Sequence, residues 1–251
     1  MIDNHVHVGW YSDGYHSPIQ IWKEMRDAGI EQIAVSSTST CAELYKLVVQ
    51  EMRCLIRLGG ENVHPILWVT PRMLKTWGIR YMLHSKIHWQ GLKMHWAAHR
   101  EWYYNKKLTN VAIDIAQKMN IPVLLHTGES KECQPFNYET ICKEHSNTSF
   151  IFAHGRPISQ TIEVMKHCNN VYVDTAFMPV GNVIKLVHEG FLERILFGTD
   201  IPINTLFYNK TSSEYAKDCL KQLSTVLNKS QFEIITNKQI YKSHTIYSQK
   251  I

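Results

Sequence analysis

The chain lacks any apolar run long enough to cross a membrane. None of the uninterrupted hydrophobic stretches in its 251 residues approaches the roughly 20 residues of a transmembrane helix. Runs of about five or more like charges are also missing, and the formal net charge of +5 is modest for this length. We therefore expect neither a membrane partner nor a nucleic-acid partner.

Two kinds of motif are absent as well. The six cysteines form no CxxC pair and follow no repeated spacing, which argues against a disulfide framework. Because no signal peptide is recognisable either, we expect reduced thiols and a cytoplasmic location. No glycine-rich GxGxxG segment follows the first apolar run, which argues against a dinucleotide-binding fold.

Histidine, in contrast, is abundant, with 14 residues, and two of them stand near the amino terminus in "MIDNHVHVGW". Alternate side chains of a β-strand point to the same face, so His5 and His7 project together, with Asp3 behind them. Neutral imidazoles aimed one way suit a zinc-like cation, although a strand of surface histidines has the same pattern.

Short apolar runs alternate with longer amphipathic stretches along the whole chain, which predicts parallel strands covered by helices. The predicted strands lie in "MIDNHVHV", "EQIAVSS", "VHPILWVT", "HWQGLKMH", "IPVLLHTG", "SFIFAHG", "NVYVDTA" and "RILFGTD". Eight such units favour an α/β fold with a single (β/α)8 TIM barrel over residues 1–251, regular or slightly distorted, without an accessory β-domain. The segment over residues 231–244 is predicted to form a closing helix.

Polar side chains stand at the ends of five of these apolar runs. They are His5 and His7, Lys93 and His95, His126, His154, and Asp200. The carboxyl-terminal ends of barrel strands meet at one rim, where the active sites of such barrels lie. The strand ends therefore predict a metal or acid–base site at that rim.

The series "DNHVH", "GLKMH", "VLLHTGE", "FIFAHG" and "ILFGTDIP" resembles the amidohydrolase superfamily. It is most similar to the amidohydrolase-related (amidohydrolase 2) branch of metal-dependent TIM-barrel hydrolases and decarboxylases. The resemblance implies that one divalent cation, expected to be zinc, is bound by a set of four ligands: His5, His7, His126 and Asp200. It also implies that Asp200 and His154 are catalytic, with Asp200 accepting a proton from water and His154 polarising a carbonyl oxygen.

Two roles remain open within that resemblance. Lys93 and His154 either bind a second metal, with Lys93 carboxylated as in two-metal members, or contact the substrate; the local "GLKMH" pattern favours one metal. Asp3 either orients a ligand imidazole or is structural.

The expected reaction is hydrolysis of an amide, ester or lactone bond in a small anionic or aromatic substrate. His95, Arg156 and Glu129 are the predicted substrate contacts, because cations and aromatic side chains in the rim loops suit a planar carboxylate.

Three other functions remain as alternatives. A non-oxidative decarboxylase would use the same scaffold and the same ligands. A TatD-like phosphoesterase or deoxyribonuclease also begins with HxH, but it expects a glutamate where this chain has "GLKMH". A non-catalytic binding protein with a relic site is the third. The partner we expect is a small-molecule substrate, and self-association as a homo-oligomer is left open.

Overall fold

The computed structural model describes residues 1–241, which fold around a curled nine-stranded sheet flanked by helices. The strands are β1 (Ile2–Tyr11), β2 (Gly14–His16), β3 (Gln32–Ser37), β4 (Val63–Trp68), β5 (Gly91–Met94), β6 (Val123–His126), β7 (Phe150–Ala153), β8 (Val171–Asp174) and β9 (Ile195–Leu196). From β1 through β3 to β9 the strands pair in parallel and in chain order. The predicted α/β class and all eight predicted strands are confirmed.

Strand β2 is the one that the sequence analysis missed. In the segment "GWYSDGYHS", where no strand was predicted beyond Val8, β1 continues to Tyr11 and turns back at Gly14 to pair antiparallel with β2. Only Ser12 and Asp13 lie in the turn, and a two-residue turn followed by glycine is typical of a β-hairpin. His5 and His7 therefore lie inside β1 rather than at its end.

Helices separate the parallel strands. They are α1 (Pro18–Asp27), α2 (Tyr45–Gly59), α3 (Pro71–Lys75), α4 (Gly78–Leu83), α5 (Glu101–Tyr104), α6 (Lys106–Met119), α7 (Phe136–Glu144), α8 (Ile158–His167), α9 (Val180–His188), α10 (Ser212–Val226) and α11 (Lys229–Asn237). The predicted closing helix corresponds to α11, which begins two residues earlier and ends at Asn237; residues 242–244 of that prediction lie outside the described residues. Within residues 1–241, no helix has the length and apolar character needed to span a membrane.

Helix α1 shows how local sequence sets these boundaries. The Ser17 hydroxyl accepts a hydrogen bond from the Gln20 amide at 3.2 Å, and Pro18 occupies the first helical position. Ile21 and Met25 are fully buried on one face. Gly29 follows the helix with a φ of +81°, a conformation that glycine adopts without a steric penalty.

The sheet separates two hydrophobic clusters. The inner cluster lies inside the curl and takes aliphatic side chains from six strands: Ile2, Ala34, Ile66, Leu124, Ile151 with Ala153, and Leu196. Tyr241 packs against this cluster. The larger cluster fills the space between the sheet and its helices, so the strands are buried on both faces, as parallel strands usually are.

The chain that follows β9 returns to β1. Asn4 and His7 donate backbone hydrogen bonds of 2.8 and 2.7 Å to the carbonyls of Phe197 and Ile201, and Asp200 donates one of 2.7 Å to His5. These bonds hold Asp200 beside the first strand, although the two are almost 200 residues apart in the sequence.

Candidate metal centre

Three side chains with metal-binding groups meet between β1 and the segment after β9. The Nε2 atoms of His5 and His7 lie 3.2 Å apart, which confirms that the two imidazoles share a face. Oδ1 of Asp200 lies 3.2 Å from the first Nε2 and 3.0 Å from the second. Ligand atoms around a tetrahedral zinc ion, with bonds of about 2.0 Å, are separated by about 3.3 Å. The spacing of these buried groups therefore fits a divalent cation.

Hydrogen bonds on the far side of each ring orient the two imidazoles. Oδ2 of Asp174 lies 2.9 Å from Nδ1 of His5, and a carboxylate can only accept, so this Nδ1 carries the proton. Nδ1 of His7 lies 2.8 Å from the hydroxyl and 3.3 Å from the carbonyl oxygen of Ser36. Nε2 of each ring consequently faces Asp200.

Lys93 completes this cluster from β5. Its Nζ lies 2.7 Å from Nε2 of His5 and 2.8 Å from Nε2 of His7, so the ammonium donates to both lone pairs. Burial lowers the pKa of Lys93 to about 8. The cluster is a set of acceptors around one cationic group, which is the chemical environment that a metal ion also requires.

The protonation states agree with that chemistry. Burial, reinforced by nearby Lys93, lowers the pKa of His7 to about 3, so its imidazole is neutral at pH 7. Burial alone would raise the pKa of Asp200, but contact with His5 and His7 outweighs it and holds the pKa well below the ordinary value. A neutral imidazole and an ionised carboxylate are the forms that bind metals.

His154 lies next to this cluster, just after β7. Its Nδ1 donates to the Ala176 carbonyl oxygen at 3.0 Å, which leaves the Nε2 lone pair 3.7 Å from Oδ2 of Asp200. Burial lowers the pKa of His154 to about 4. The φ angles of His154 and Asp200 are +70° and +60°, in a region that non-glycine residues seldom adopt and that is often found at functional sites.

His126, the fourth predicted ligand, belongs to a neighbouring group. Its Nδ1 lies 3.2 Å from Nε2 of His154, and its ring stacks on that of His95 with centroids 3.7 Å apart. Ligand atoms of His95, His126 and Cys133 lie within 4.8 Å of one another, separate from the cluster that contains Asp200. The structure thus brings three of the four predicted ligands into one cluster and places His126 beside it.

A cavity of about 550 Å³ opens above these residues, within the roughly 300–1,000 Å³ typical of small-molecule sites. It is lined by His126, His154, Arg156, Phe177, Asp200, Ile203, Phe207 and Tyr208. Arg156 is thus at the cavity, as predicted for a substrate contact. Among the described residues, its buried Nε has no hydrogen-bond partner and its guanidinium forms no ion pair within 4 Å.

The other two predicted substrate contacts are placed differently. His95 lies behind His126, between that ring and the Trp68 ring, on which it also stacks. Glu129 is exposed and does not line the cavity.

Of the two roles predicted for Asp3, its contacts fit the structural role. Its carboxylate accepts hydrogen bonds from the His5 amide and from the amide and hydroxyl of Thr199, and it contacts no imidazole. The pairing of β1 with β3 is irregular between Asp3 and Val6, which interrupts the simple alternation of faces. Asp174 orients His5 instead. Its position at the end of an apolar run was the available signal, and the sequence analysis missed it.

A sequence model of the amidohydrolase family matches residues 74–227, more than half of the chain. The chain belongs to the amidohydrolase family. The matched segment contains Lys93, His126, His154 and Asp200, whereas His5 and His7 precede it. Comparison with curated protein sequences gives no match.

Solved structures resemble this amidohydrolase over almost its whole length. A probable 2-pyrone-4,6-dicarboxylic acid hydrolase from Acinetobacter baumannii, with citric acid bound, is 14% identical over 94% of this chain and 96% of its own, with a TM-score of 0.69. An uncharacterized TIM-barrel protein from Bordetella bronchiseptica is 15% identical, with 94% and 95% covered and a TM-score of 0.68.

A third similar structure contains a metal. It is a 5-carboxyvanillate decarboxylase from Novosphingobium aromaticivorans, complexed with manganese and 4-hydroxy-3-methoxy-5-nitrobenzoic acid. It is 9% identical over 87% of this chain and 77% of its own, with a TM-score of 0.64. At such identities the likeness establishes a common fold.

Proposed function

We propose that this amidohydrolase is a metal-dependent hydrolase in which His5, His7 and Asp200 bind one divalent cation. The supporting observation is the convergence of two Nε2 lone pairs and one carboxylate oxygen, each within 3.2 Å of the others. Two imidazoles and a carboxylate suit zinc, which is the metal we assign. We retain His126 as the fourth ligand, because its Nδ1 lies 3.2 Å from Nε2 of His154, which borders the cluster.

We further propose that Asp200 and His154 move the protons of the reaction. When bound, a divalent cation makes hydroxide available at neutral pH. Asp200 accepts the proton released by the water, and Nε2 of His154 can receive it across the 3.7 Å between them. His154 then donates it to the substrate, so the donor role predicted from the sequence follows from this transfer. Its Nδ1 remains on Ala176 and keeps the ring in position.

The cavity lining supports a small planar substrate with a carboxylate. Arg156 offers a guanidinium without an internal ion pair, and Phe177, Phe207 and Tyr208 supply aromatic surface beside it. Guanidinium binds carboxylate through paired hydrogen bonds, and aromatic walls suit flat rings. A dicarboxylate lactone, as in the name of the Acinetobacter structure, has this chemistry. We therefore propose cleavage of a lactone or ester, or of an amide, in an aromatic or anionic acid.

Decarboxylation of an aromatic acid is the second candidate. Arg156 and the aromatic wall fit such an acid equally well, and a structure of the same fold is a decarboxylase. The two reactions differ in their product, since only decarboxylation releases carbon dioxide.

We assign one metal rather than two. The "GLKMH" segment, which resembles the one-metal branch, supports this, and the Lys93 ammonium that contacts both Nε2 atoms would give them up to a bound cation. A second cation, with Lys93 carboxylated, is the alternative, and the number of metal equivalents per chain distinguishes the two.

The wider predictions are proposals of the same kind. We propose a closed (β/α)8 barrel that forms a single domain over residues 1–251, supported by the bonds between β1 and residues 197–201. We propose a small-molecule substrate and a cytoplasmic location, the latter supported by six free cysteines. Assembly into a homo-oligomer is open to measurement.

A substrate panel tests the reaction. Zinc-loaded protein is incubated with aromatic carboxylic acids that carry a lactone, ester or amide, and with aromatic hydroxy acids; proton release and carbon dioxide are followed. We expect hydrolysis that depends on added metal and that falls by at least about 10³-fold in Asp200→Asn. Carbon dioxide without hydrolysis would establish the decarboxylase instead, and metal-independent turnover would refute both.

A further inference from the structure

A second cavity of about 290 Å³ adjoins the 550 Å³ cavity of the candidate site. We call it the side chamber. It lies between the segment after β8 and helix α10. Met178, Pro179, Val180 and Leu223 form its apolar part, and Thr175, Lys210, Asp218 and Gln222 form its polar part. Phe177 and Tyr208 line both cavities.

The Phe177 ring stands between the two spaces. Its centroid lies 6.1 Å from that of His154, on the side of the candidate site, and 5.8 Å from that of Tyr215, which lines the side chamber. Tyr208 stacks on Tyr215 at 5.3 Å and lies 6.4 Å from Phe177. One aromatic side chain therefore touches the wall of each cavity.

The backbone at this position is strained. The φ of Phe177 is +52°, which a bulky side chain seldom adopts, and the residue lies in a turn closed by a 3.0 Å bond from the Met178 amide to the Thr175 carbonyl. Glycine or asparagine would adopt this turn at a lower cost. The ring itself must therefore contribute something that offsets the strain, and its contacts are with the two cavities.

We propose that Phe177 determines substrate size by closing the candidate active site off from the side chamber. This inference rests on the proposed function, because it takes the 550 Å³ cavity as the substrate site. With Phe177 present, the cavity accepts an acid with one ring beside Arg156. Without its ring the two spaces join, and a second apolar ring enters among Met178, Val180 and Leu223.

Binding of two carboxylates tests the proposal without any need for turnover. Benzoate and biphenyl-4-carboxylate are titrated by calorimetry into the parent protein, Phe177→Ala and Phe177→Gly, the last of which also relieves the backbone strain. We expect biphenyl-4-carboxylate to bind at least about tenfold more tightly to both variants than to the parent, since the second ring gains apolar contact. Benzoate loses the aromatic surface of Phe177 and does not reach the side chamber, so its affinity should not rise in either variant.

Phe207→Ala is the matched control. Phe207 lines the main cavity but not the side chamber, so its removal should bring no comparable gain for biphenyl-4-carboxylate. Phe177→Leu, which keeps a buried apolar side chain, should fold even if the smaller variants do not, and should show a smaller gain. A structure of the Phe177→Gly complex should place the distal ring beside Leu223.

The proposal fails if no folded Phe177 variant gains affinity for biphenyl-4-carboxylate, or if Phe207→Ala gains as much. Metal content, measured on the same samples, reports separately on the proposed function. A gain in affinity in a protein that binds no divalent cation would support the partition and refute the metal-dependent reaction. If the parent binds metal but no Phe177 variant gains affinity for biphenyl-4-carboxylate, the partition is refuted and the metal-dependent reaction is supported.

Discussion

Oδ2 of Asp174 lies 2.9 Å from Nδ1 of His5, and Oδ1 of the same carboxylate accepts the backbone amide of His154 at 2.9 Å. One buried side chain thus fixes the proton of a proposed ligand and the backbone of a proposed catalytic residue. Burial favours the neutral acid, but contact with His5 outweighs it and keeps the pKa of Asp174 below its ordinary value. Carboxylates in this relation to a ligand imidazole commonly support the metal site.

Replacing Asp174 by asparagine should therefore weaken metal binding. The amide keeps the shape but removes the charge that holds the proton on Nδ1 of His5. We expect the dissociation constant for zinc to rise about 10–100-fold, the usual effect of losing such a partner. Competition with a chromophoric chelator measures it.

Asp3→Asn is the matched control for that experiment. Asp3 is equally buried in the same region but accepts hydrogen bonds from backbone and hydroxyl groups only. We expect this variant to lose stability while its zinc affinity stays within about threefold of the parent. An equal loss of affinity in both variants would show that burial, rather than the contact with the imidazole, is what matters.

Replacing Arg156 by glutamine should weaken carboxylate binding. The guanidinium has no internal ion pair among the described residues, so its loss leaves no buried carboxylate unpaired. We expect the dissociation constant for benzoate to rise about 10–100-fold, as for a lost charge-assisted hydrogen bond, with little change in melting temperature. Calorimetric titration measures the first quantity and thermal unfolding the second.

Arg100→Gln provides the comparison for Arg156. Arg100 is exposed, and its Nε lies 3.5 Å from the Glu132 carboxylate. Arg100 is exposed but Glu132 is buried, so the variant should lose some stability while benzoate affinity stays unchanged. If Arg100→Gln weakened benzoate binding and Arg156→Gln did not, the carboxylate would be bound elsewhere on the rim and not by Arg156.

Glu51 predicts a pH dependence away from the metal centre. This carboxyl is buried on α2, where it accepts hydrogen bonds from the hydroxyls of Ser37 at 2.5 Å and Ser39 at 2.9 Å. Burial raises its pKa above the ordinary 4.5, and the hydroxyl donors offset this only in part. Between the two pKa values the folded state binds more protons than the unfolded state. The contribution of Glu51 to stability is therefore fully present below about pH 4.5 and is lost as the pH rises through the pKa of Glu51 in the folded state.

Substitution by glutamine removes that titration. The unfolding free energy of the parent, relative to Glu51→Gln, should fall as the pH rises from about 4.5 toward 8, measured by urea unfolding at each pH. Glu214→Gln is the control: hydrogen bonds from the Thr211 amide and hydroxyl lower the pKa of Glu214, so this group is ionised in both states through most of that range and shows no decline. If the difference in unfolding free energy between the parent and Glu51→Gln did not change with pH, the Glu51 carboxyl would be solvated in the folded state.

Much of the fold could be predicted because local signals agree. Each parallel strand is a short apolar run, and helices such as α1 carry their own cap and apolar face, so all eight predicted strands were found. Strand alternation likewise placed His5 and His7 on one face. The hairpin strand β2 was missed because an aromatic-rich rim segment has the composition of a loop.

The arrangement of the site was harder to predict. The contact between Asp174 and His5 joins residues 169 positions apart, and no local pattern in one sequence encodes such a pair. Asp3 was expected to share a face with the imidazoles, but the irregular pairing of β1 shifts it out of line. Glu129 follows its strand as the other candidates do, yet the loop turns it to the surface, a direction that composition alone does not determine.

The metal content of the purified protein tests the central claim most directly. The protein is prepared without chelator and analysed for transition metals, together with the variants His7→Ala, Asp200→Asn and His126→Ala. We predict one equivalent of divalent metal per chain in the parent, loss in the first two variants, and reduced retention in the third. A parent that binds no divalent cation, or a His7→Ala variant that retains as much metal as the parent, would contradict the proposed centre.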